Sequence, residues 1–395
     1  MARLPFTLVE PSTTGLIVLT FGENFHVADC TGRVVASTID GLEGDIAKIS
    51  SPGKGSIGAV TFSRDASLLA VCTSEKSVCI YSTSSWDVVR AQNAEKRVNA
   101  LAFDPQGDYL LTADKSGDVY RVPTTAEDSS STQPDKKPEP LLGHVSILCD
   151  IAFSYGPKSY VLTCDRDEKL RISKYPNSYN IQAFGLGHKE FVTSVATMQI
   201  DPTIAVTGSG DGTVRLWDIT SGRLLQTVQL QDVLAKYYAD GRAVCGKDTF
   251  EDRTTSTERY GVLRVRAVES QRLFVVVVER IPALVILPFI DGPVLGNAKT
   301  IDIAFPPTDV GVLDNRIIVT YAPDTAGEAL GNNELAIALS CSGSNNEMAV
   351  DKMLTNALNS IVTTKVDSVP KIPSIFVWGN KMYLERPKGE EEEEE

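Results

Sequence analysis

Histidine occurs only three times in this 395-residue chain, and none of its seven cysteines stands in a Cys-x-x-Cys pair. That leaves no spacing for a structural zinc site and reads as reduced, mostly buried thiols of an intracellular protein. No Gly-x-Gly-x-x-Gly segment opens a helix after a strand, so a dinucleotide or S-adenosylmethionine cradle within this chain is not expected. Long apolar runs are missing as well. "LFVVVVE" has strand length and ends at Glu279, far short of the ~18 apolar residues a membrane helix needs. The opening "MARLPFTLVEPSTTG" lacks the apolar core and small-residue cleavage site of a secretory signal, so the cytoplasm or nucleus is the expected location. Positive charge is in deficit, with 38 basic against 51 acidic residues and a formal net charge of −13. The six glutamates Glu390 to Glu395 supply nearly half of that excess. A broad basic footprint for nucleic acid is therefore not expected.

What the chain does have is repetition. "GHVSILCDIAFSYGPKSYVLTCDRDEKLRISKY" from Gly143 lies over "GHKEFVTSVATMQIDPTIAVTGSGDGTVRLWDI" from Gly187 without a gap. Each copy opens on Gly-His and carries an aspartate 23 residues after the histidine, His144 with Asp167 and His188 with Asp211. Degraded copies begin at Gly58 and Asn99, and the last turns, at Lys76, Gly117, Glu168 and Gly212, are spaced by 41, 51 and 44 residues. The longest interval holds "TTAEDSSSTQPDKKPEP", a Pro/Ser/charged insert at 124–140 that reads as an exposed loop.

A period near 40 to 45 with three or four short strands per unit predicts an all-β fold, a seven-bladed β-propeller. Residues 4–50 supply one blade, four repeats fill about 57–225, and 226–385 supply two more with long insertions. In the last region "VLRVRAVE", "QRLFVVVVERIPALVILPF", "KTIDIAFPP", "NRIIVTYAPD", "ELAIALSCS" and "SIFVWGNKMYLERP" read as strands. Residues 346–362 break the pattern with apolar positions at helical spacing, which predicts a short helix near the C-terminus. The propeller domain thus covers 1–385, and 386–395 form an acidic tail expected to be disordered.

Chemistry is sparse. "GSGDGT" lacks the lysine of a phosphate loop and precedes a strand, so it reads as a hairpin turn with Gly210 and Gly212 around Asp211. His144 and His188 share one repeat position and have repeat aspartates to partner them, a structural arrangement. In the charged run "TCDRDEKLR", Asp167 aligns with Asp211, which leaves Arg166, Glu168, Lys169 and Arg171 as candidates for contact with another protein. Strand alternation sets Lys169 and Arg171 on one side and Leu170 and Ile172 on the other.

Gly187-His188, Asp211 and Trp217-Asp218 resemble the WD-repeat family. The resemblance implies a buried network in each blade, here His188, Thr207 or Ser209, Asp211 and Trp217, and His144 with Asp167 in the blade where Ser173 replaces the tryptophan. The blocks "DKSGDVY", "LLGHVSILCDIAFS", "LTCDRDEKLRIS", "LGHKEFVTSVA" and "GSGDGTVRLWDITSGR", over about 108–225, are similar to the WD-repeat non-catalytic subunit of the eukaryotic tRNA (guanine-N7)-methyltransferase. That resemblance implies a nuclear heterodimer, with the cytoplasm as a further location. A separate Rossmann-type subunit would bind S-adenosylmethionine and methylate N7 of a guanosine in the tRNA variable loop. The chain itself would hold no cofactor or metal, would carry no catalytic residue, and would meet tRNA mainly through its partner. Carried over, Arg171 would pair with an acid of the catalytic subunit, beside Lys169. Where relatives end in lysines, "RPKGEEEEEE" would repel phosphate. A general WD-repeat adaptor, such as a ubiquitin-ligase substrate receptor, is the competing expectation from the same scaffold.

Overall fold

A short strand with one apolar face cannot exclude water alone, and the repeat solves this by stacking sheets face to face. The computed structural model describes residues 2–3, 6–42, 44–125, 139–243, 260–321, 336–342, 347–361 and 365–366. Within them the strands form seven sheets of four or five strands, arranged as the blades of a propeller. The Pro/Ser insert lies largely outside the described residues, at 126–138, as do the acidic tail and the expected strand "SIFVWGNKMYLERP".

Blade 1 runs from Leu8–Pro11 to Val34–Ser37 and adds Ala47–Lys48 in parallel. Blade 2 runs from Ile57–Phe62 to Val88–Asn93, and blade 3 from Val98–Phe103 to Leu142–Gly143. Blade 4 comprises Leu148–Tyr155, Ser159–Asp165, Lys169–Lys174 and Ile181–Leu186. Blade 5 comprises Val192–Thr197, Ile204–Ser209, Thr213–Asp218 and Leu224–Gln229. Blades 6 and 7 run from Val262–Val268 to Lys299–Asp302 and from Pro307–Leu313 to Glu347–Val350. The second strands, such as Leu273–Val278, are buried throughout, whereas the outer strand Val88–Asn93 alternates exposed and half-buried positions. Continuous apolar sequence therefore marks the middle of a blade, and alternation marks its rim.

All four aligned turn residues, Lys76, Gly117, Glu168 and Gly212, take left-handed backbone with φ of 71°, 98°, 73° and 74°. The repeats thus share one turn geometry whether or not they kept glycine.

Among the described residues two α-helices decorate the ring. The first, α1 (Gln231–Ala239), buries Leu234 and Tyr237 beside blades 5 and 6, within the region where the sequence predicts long insertions. The second, α2 (Lys352–Ser360), starts later than expected, because Glu347–Val350 completes blade 7 as a strand. Asp351 ends that strand and caps the helix by accepting the Leu354 amide at 3.0 Å. Leu354, Leu358 and Ile361 pack on Ile17, Leu19, Leu313 and Ile318.

Each of these blades is built from consecutive residues, so the ring closes by side-to-side contact of Leu8–Pro11 with Pro307–Leu313. Asp309 accepts the Val9 amide at 3.1 Å and Arg264 Nε at 3.1 Å, which ties blades 1, 6 and 7 together. A small sheet pairs Ala2–Arg3 with Lys365–Val366. The first strands of the blades surround an axial cavity of about 390 Å³.

Candidate functional site, the hairpin and rim of the fourth blade

Blade 5 carries a complete buried network. Trp217 Nε1 donates to Thr207 Oγ1 at 2.8 Å, Thr207 Oγ1 meets His188 Nε2 at 2.7 Å, and His188 Nδ1 meets Asp211 Oδ2 at 3.0 Å. Because Thr207 accepts from the indole, its own proton points to Nε2, and Nδ1–H donates to the carboxylate. Burial lowers the His188 pKa despite the neighbouring acid. Burial alone would raise Asp211, but hydrogen bonds from His188, Thr213 and Lys189 outweigh it and hold this carboxyl well below its usual range. The pair is a neutral imidazole on a carboxylate, fully satisfied and structural.

Blade 4 builds its version differently. Asp165, not Asp167, takes His144 Nδ1 at 2.8 Å, while Thr163 holds Nε2 at 2.7 Å. Asp165 stands where blade 5 has Ser209, and its longer arm reaches the imidazole from the strand end. Asp167 is released to accept from Ser146 Oγ at 2.7 Å and from Arg166 Nε at 3.4 Å. The expected pairing of His144 with Asp167 is corrected accordingly.

Arg171 also departs from expectation. Alternation put it on an open side with Lys169, yet Lys169–Lys174 is buried on both faces between its ends. Arg171 donates to Ser173 Oγ at 2.9 Å, to Gly143 O at 2.5 Å and to Ser178 O at 3.1 Å. The hydroxyl that replaces tryptophan is thus one of its anchors, and burial lowers its pKa. Arg215 of blade 5 occupies the same repeat position and is buried too. Its Nη1 would lie 2.5 Å from a Cβ at Gly187, whose φ is +146°, which accounts for the glycine at this position of blade 5.

The exposed part of the hairpin is Glu168 and Lys169, with Arg166 and Arg171 largely covered beneath. Beside it the rim of the blade is apolar: Tyr179, Ile181, Phe184 and Leu186 are all exposed, Leu186 by 61% and Tyr179 by 71%. Four large apolar side chains within eight residues on one rim exceed the scatter of a solvated surface. In the sequence the available signal is "YNIQAFGL", an outer strand with apolar residues at Tyr179, Ile181, Phe184 and Leu186.

Blade 3 lacks the histidine. Ala94 occupies its place, donating its amide to Lys76 O at 2.8 Å as His144 does to Gly117 O at 2.7 Å. Asp114, the counterpart of Asp165, is buried with Oδ2 unpartnered, and burial raises its pKa. Replacing Ala94 with histidine is expected to restore the pair and raise unfolding stability by about 1 kcal/mol. Urea titration checks this, and a loss of stability would show that the neighbouring packing has closed over the site.

The axial cavity gathers Glu10, Asp150, Arg264, Arg266 and Asp309. Glu10 sits 3.6 Å from Arg266, and its carboxyl is pushed from 4.5 up to about 7. Burial is the main cause; Asp309 and Asp150 add to it, and Arg266 and Arg264 oppose it. The folded chain keeps this proton to higher pH than the unfolded chain, so its stabilisation is complete below about 4.5 and is lost as pH rises through about 7. Glu10→Gln is expected to flatten stability against pH across that window. An unchanged slope in urea titrations at several pH values would contradict it.

The tRNA methyltransferase TRM82 WD40 domain family matches residues 43–140 and 124–335 of this chain. The mouse tRNA (guanine-N(7)-)-methyltransferase non-catalytic subunit WDR4 is 37% identical over 188 residues, 48% of this chain and 44% of the relative. The TRM82 subunit of Meyerozyma guilliermondii is 31% identical over 279 residues, 60% of this chain and 65% of the relative. The matched region spans about half the length of the mouse relative. Among solved structures, the RRP9 WD40 repeats superpose with a TM-score of 0.62 at 16% identity, covering 81% of this chain and 88% of that one. A chain of the mitotic checkpoint complex gives 0.60, covering 81% and 87%; at such identity these show the propeller fold alone. With seven blades in place and the family match running from blade 1 into blade 7, the chain belongs to the tRNA methyltransferase TRM82 WD40 domain family.

Proposed function

We propose that this chain is a non-catalytic scaffold that binds and stabilises the catalytic subunit of a tRNA (guanine-N7)-methyltransferase, supporting N7-methylguanosine formation in the tRNA variable loop. The partner is a Rossmann-type protein that carries S-adenosylmethionine, forms a heterodimer with the chain and makes most of the tRNA contact. The nucleus is the expected site of this work, with the cytoplasm a second location. The observation that carries the reading is the composite face on blade 4, a charged hairpin beside an apolar rim, in a chain of this family.

Lys169 and Glu168 are the contact residues of the hairpin. Arg171 and Arg166 act beneath them as positioning residues: Arg171 ties Gly143 of blade 3 to the Ser178 loop, which fixes the hairpin against the rim. A rigid edge of this kind limits the freedom of a docked helix or loop before tRNA arrives, so the scaffold contributes by preorganisation and not by chemistry.

The test is native purification followed by titration with the catalytic subunit. Lys169→Glu is expected to weaken binding about tenfold at unchanged melting temperature, since the side chain is exposed. Arg171→Leu should lower both affinity and melting temperature. Undiminished affinity in a Lys169→Glu/Leu186→Asp double variant would remove this face from the complex. Recovery of a ubiquitin-ligase scaffold in place of a methyltransferase would favour the adaptor reading.

A further inference from the structure

The seat that holds an imidazole in blades 4 and 5 recurs in blade 3 without its ring. In blade 4 the ring lies between Thr163 and Asp165, and in blade 5 between Thr207 and Asp211. Counting back from the turn residues Gly117 and Glu168, Thr112 stands where blade 4 has Thr163, and Asp114 where it has Asp165. Both are buried, Asp114 to 1% exposure and Thr112 to 3%.

Asp114 is also aimed alike. Its Oδ1 accepts the Asp118 amide at 3.0 Å, as Asp165 Oδ1 accepts the Lys169 amide at 3.0 Å. The turn therefore fixes the carboxylate and directs Oδ2 towards the ring position, where it is buried without a hydrogen-bond partner. Among the described residues the Thr112 hydroxyl has no hydrogen bond either. The covering loop follows the blade 4 path, because the Ala94 amide bonds to Lys76 O as the His144 amide does to Gly117 O. Ala94 thus starts a side chain from the histidine's position and stops at a methyl group.

We infer that blade 3 carries a binding site for an imidazole ring, with Asp114 accepting one ring N–H and the Thr112 hydroxyl meeting the other nitrogen. Two nitrogens in a flat five-membered ring match these two groups, as the same pair of side-chain types shows in blade 4. A ring N–H would also satisfy a buried carboxylate oxygen, whose lack of a donor costs about 1–3 kcal/mol. Blade 2 offers no such seat, since Val71 and Thr73 stand in place of the threonine and the aspartate. The ring can arrive as a free heterocycle or as a histidine of a docked segment, because Glu95 and Lys96 of the covering loop are exposed on the hairpin face.

The test melts the full chain in rising imidazole at about pH 8, where the free ring is neutral. Thiazole, a five-membered ring with an acceptor nitrogen and no N–H, is the control. A saturating rise in melting temperature is expected with imidazole and not with thiazole. Thr112→Val is expected to weaken the imidazole effect about tenfold. Ala94→His should abolish it, because a resident ring then takes the seat. The blocked peptide acetyl-Gly-Gly-His-Gly-Gly-amide assigns the source: a comparable rise points to a histidine of a partner, and a rise with imidazole alone points to a free heterocycle. Three results each overturn the inference: no saturating rise in the unaltered chain, an equal rise with thiazole, or a rise that persists undiminished in Ala94→His.

Discussion

Trp217→Ala is expected to lower unfolding stability by about 3–5 kcal/mol, the range for deleting a fully buried aromatic side chain. Trp217 has no exposed surface, and it lies between blades and not within one. Its cluster joins Leu162, Cys164, Leu170 and Ile172 of blade 4 to Val192, Val195 and Ala205 of blade 5. A Cβ at Gly185 would come within 3.0 Å of the indole, so the blade 4 rim rests directly on the ring. Removing the ring opens a cavity under the strand that carries Phe184 and Leu186, and the docking face should loosen with it. Trp217→Phe separates the contributions. It keeps most of the volume but removes the indole donor from Thr207, which still meets His188, and a loss nearer 1–2 kcal/mol is expected. Urea unfolding of both variants decides; equal losses would assign the effect to the hydrogen bond and not to packing.

The repeat was legible because its determinants are local. Gly-His, the turn aspartate and the final tryptophan each act within one blade or on the next, so spacing alone places them. The same logic, applied further, places Arg171 inside the blade. His144 and His188 read as structural because both repeats have them, and Arg171 and Arg215 are also 44 residues apart at one repeat position. A charge that recurs in register is evidence for an internal role even where its neighbours look like surface. Asp167 misled for a finer reason: two aspartates flank Arg166, and alignment to Asp211 selected the wrong one because blade 5 has only Ser209 at the position of Asp165.

The axial charges were not legible at all. Glu10, Asp150, Arg264 and Asp309 are spread over 300 residues and become neighbours only when the ring shuts. Helix α1 escaped because Leu234 and Tyr237 are a short pair of helical positions inside a long interval between blades, with too few turns to declare a period.

Asp309→Ala is the corresponding test of ring closure, and a loss of about 3 kcal/mol is expected. The carboxylate is 2% exposed and serves two blades at once, holding the Val9 amide of blade 1 and the Arg264 guanidinium of blade 6. Truncation leaves both donors without a partner at the seam, and an uncompensated guanidinium beside the cavity costs more than the pair contributed. Asp309→Asn retains an acceptor but not the charge, so it should fall between the parent and the alanine variant. Hydrogen exchange distinguishes a seam defect from general weakening. Because Leu8–Pro11 is held to Pro307–Leu313 by this side chain and by packing such as Pro11 against Gly311, amides of blade 1 should lose protection first. Those of blades 4 and 5, cemented by Trp217, should keep it. Uniform acceleration around the ring would mean that closure is not a separate step, and that a contact at the seam and one under the docking face report on the same cooperative unit.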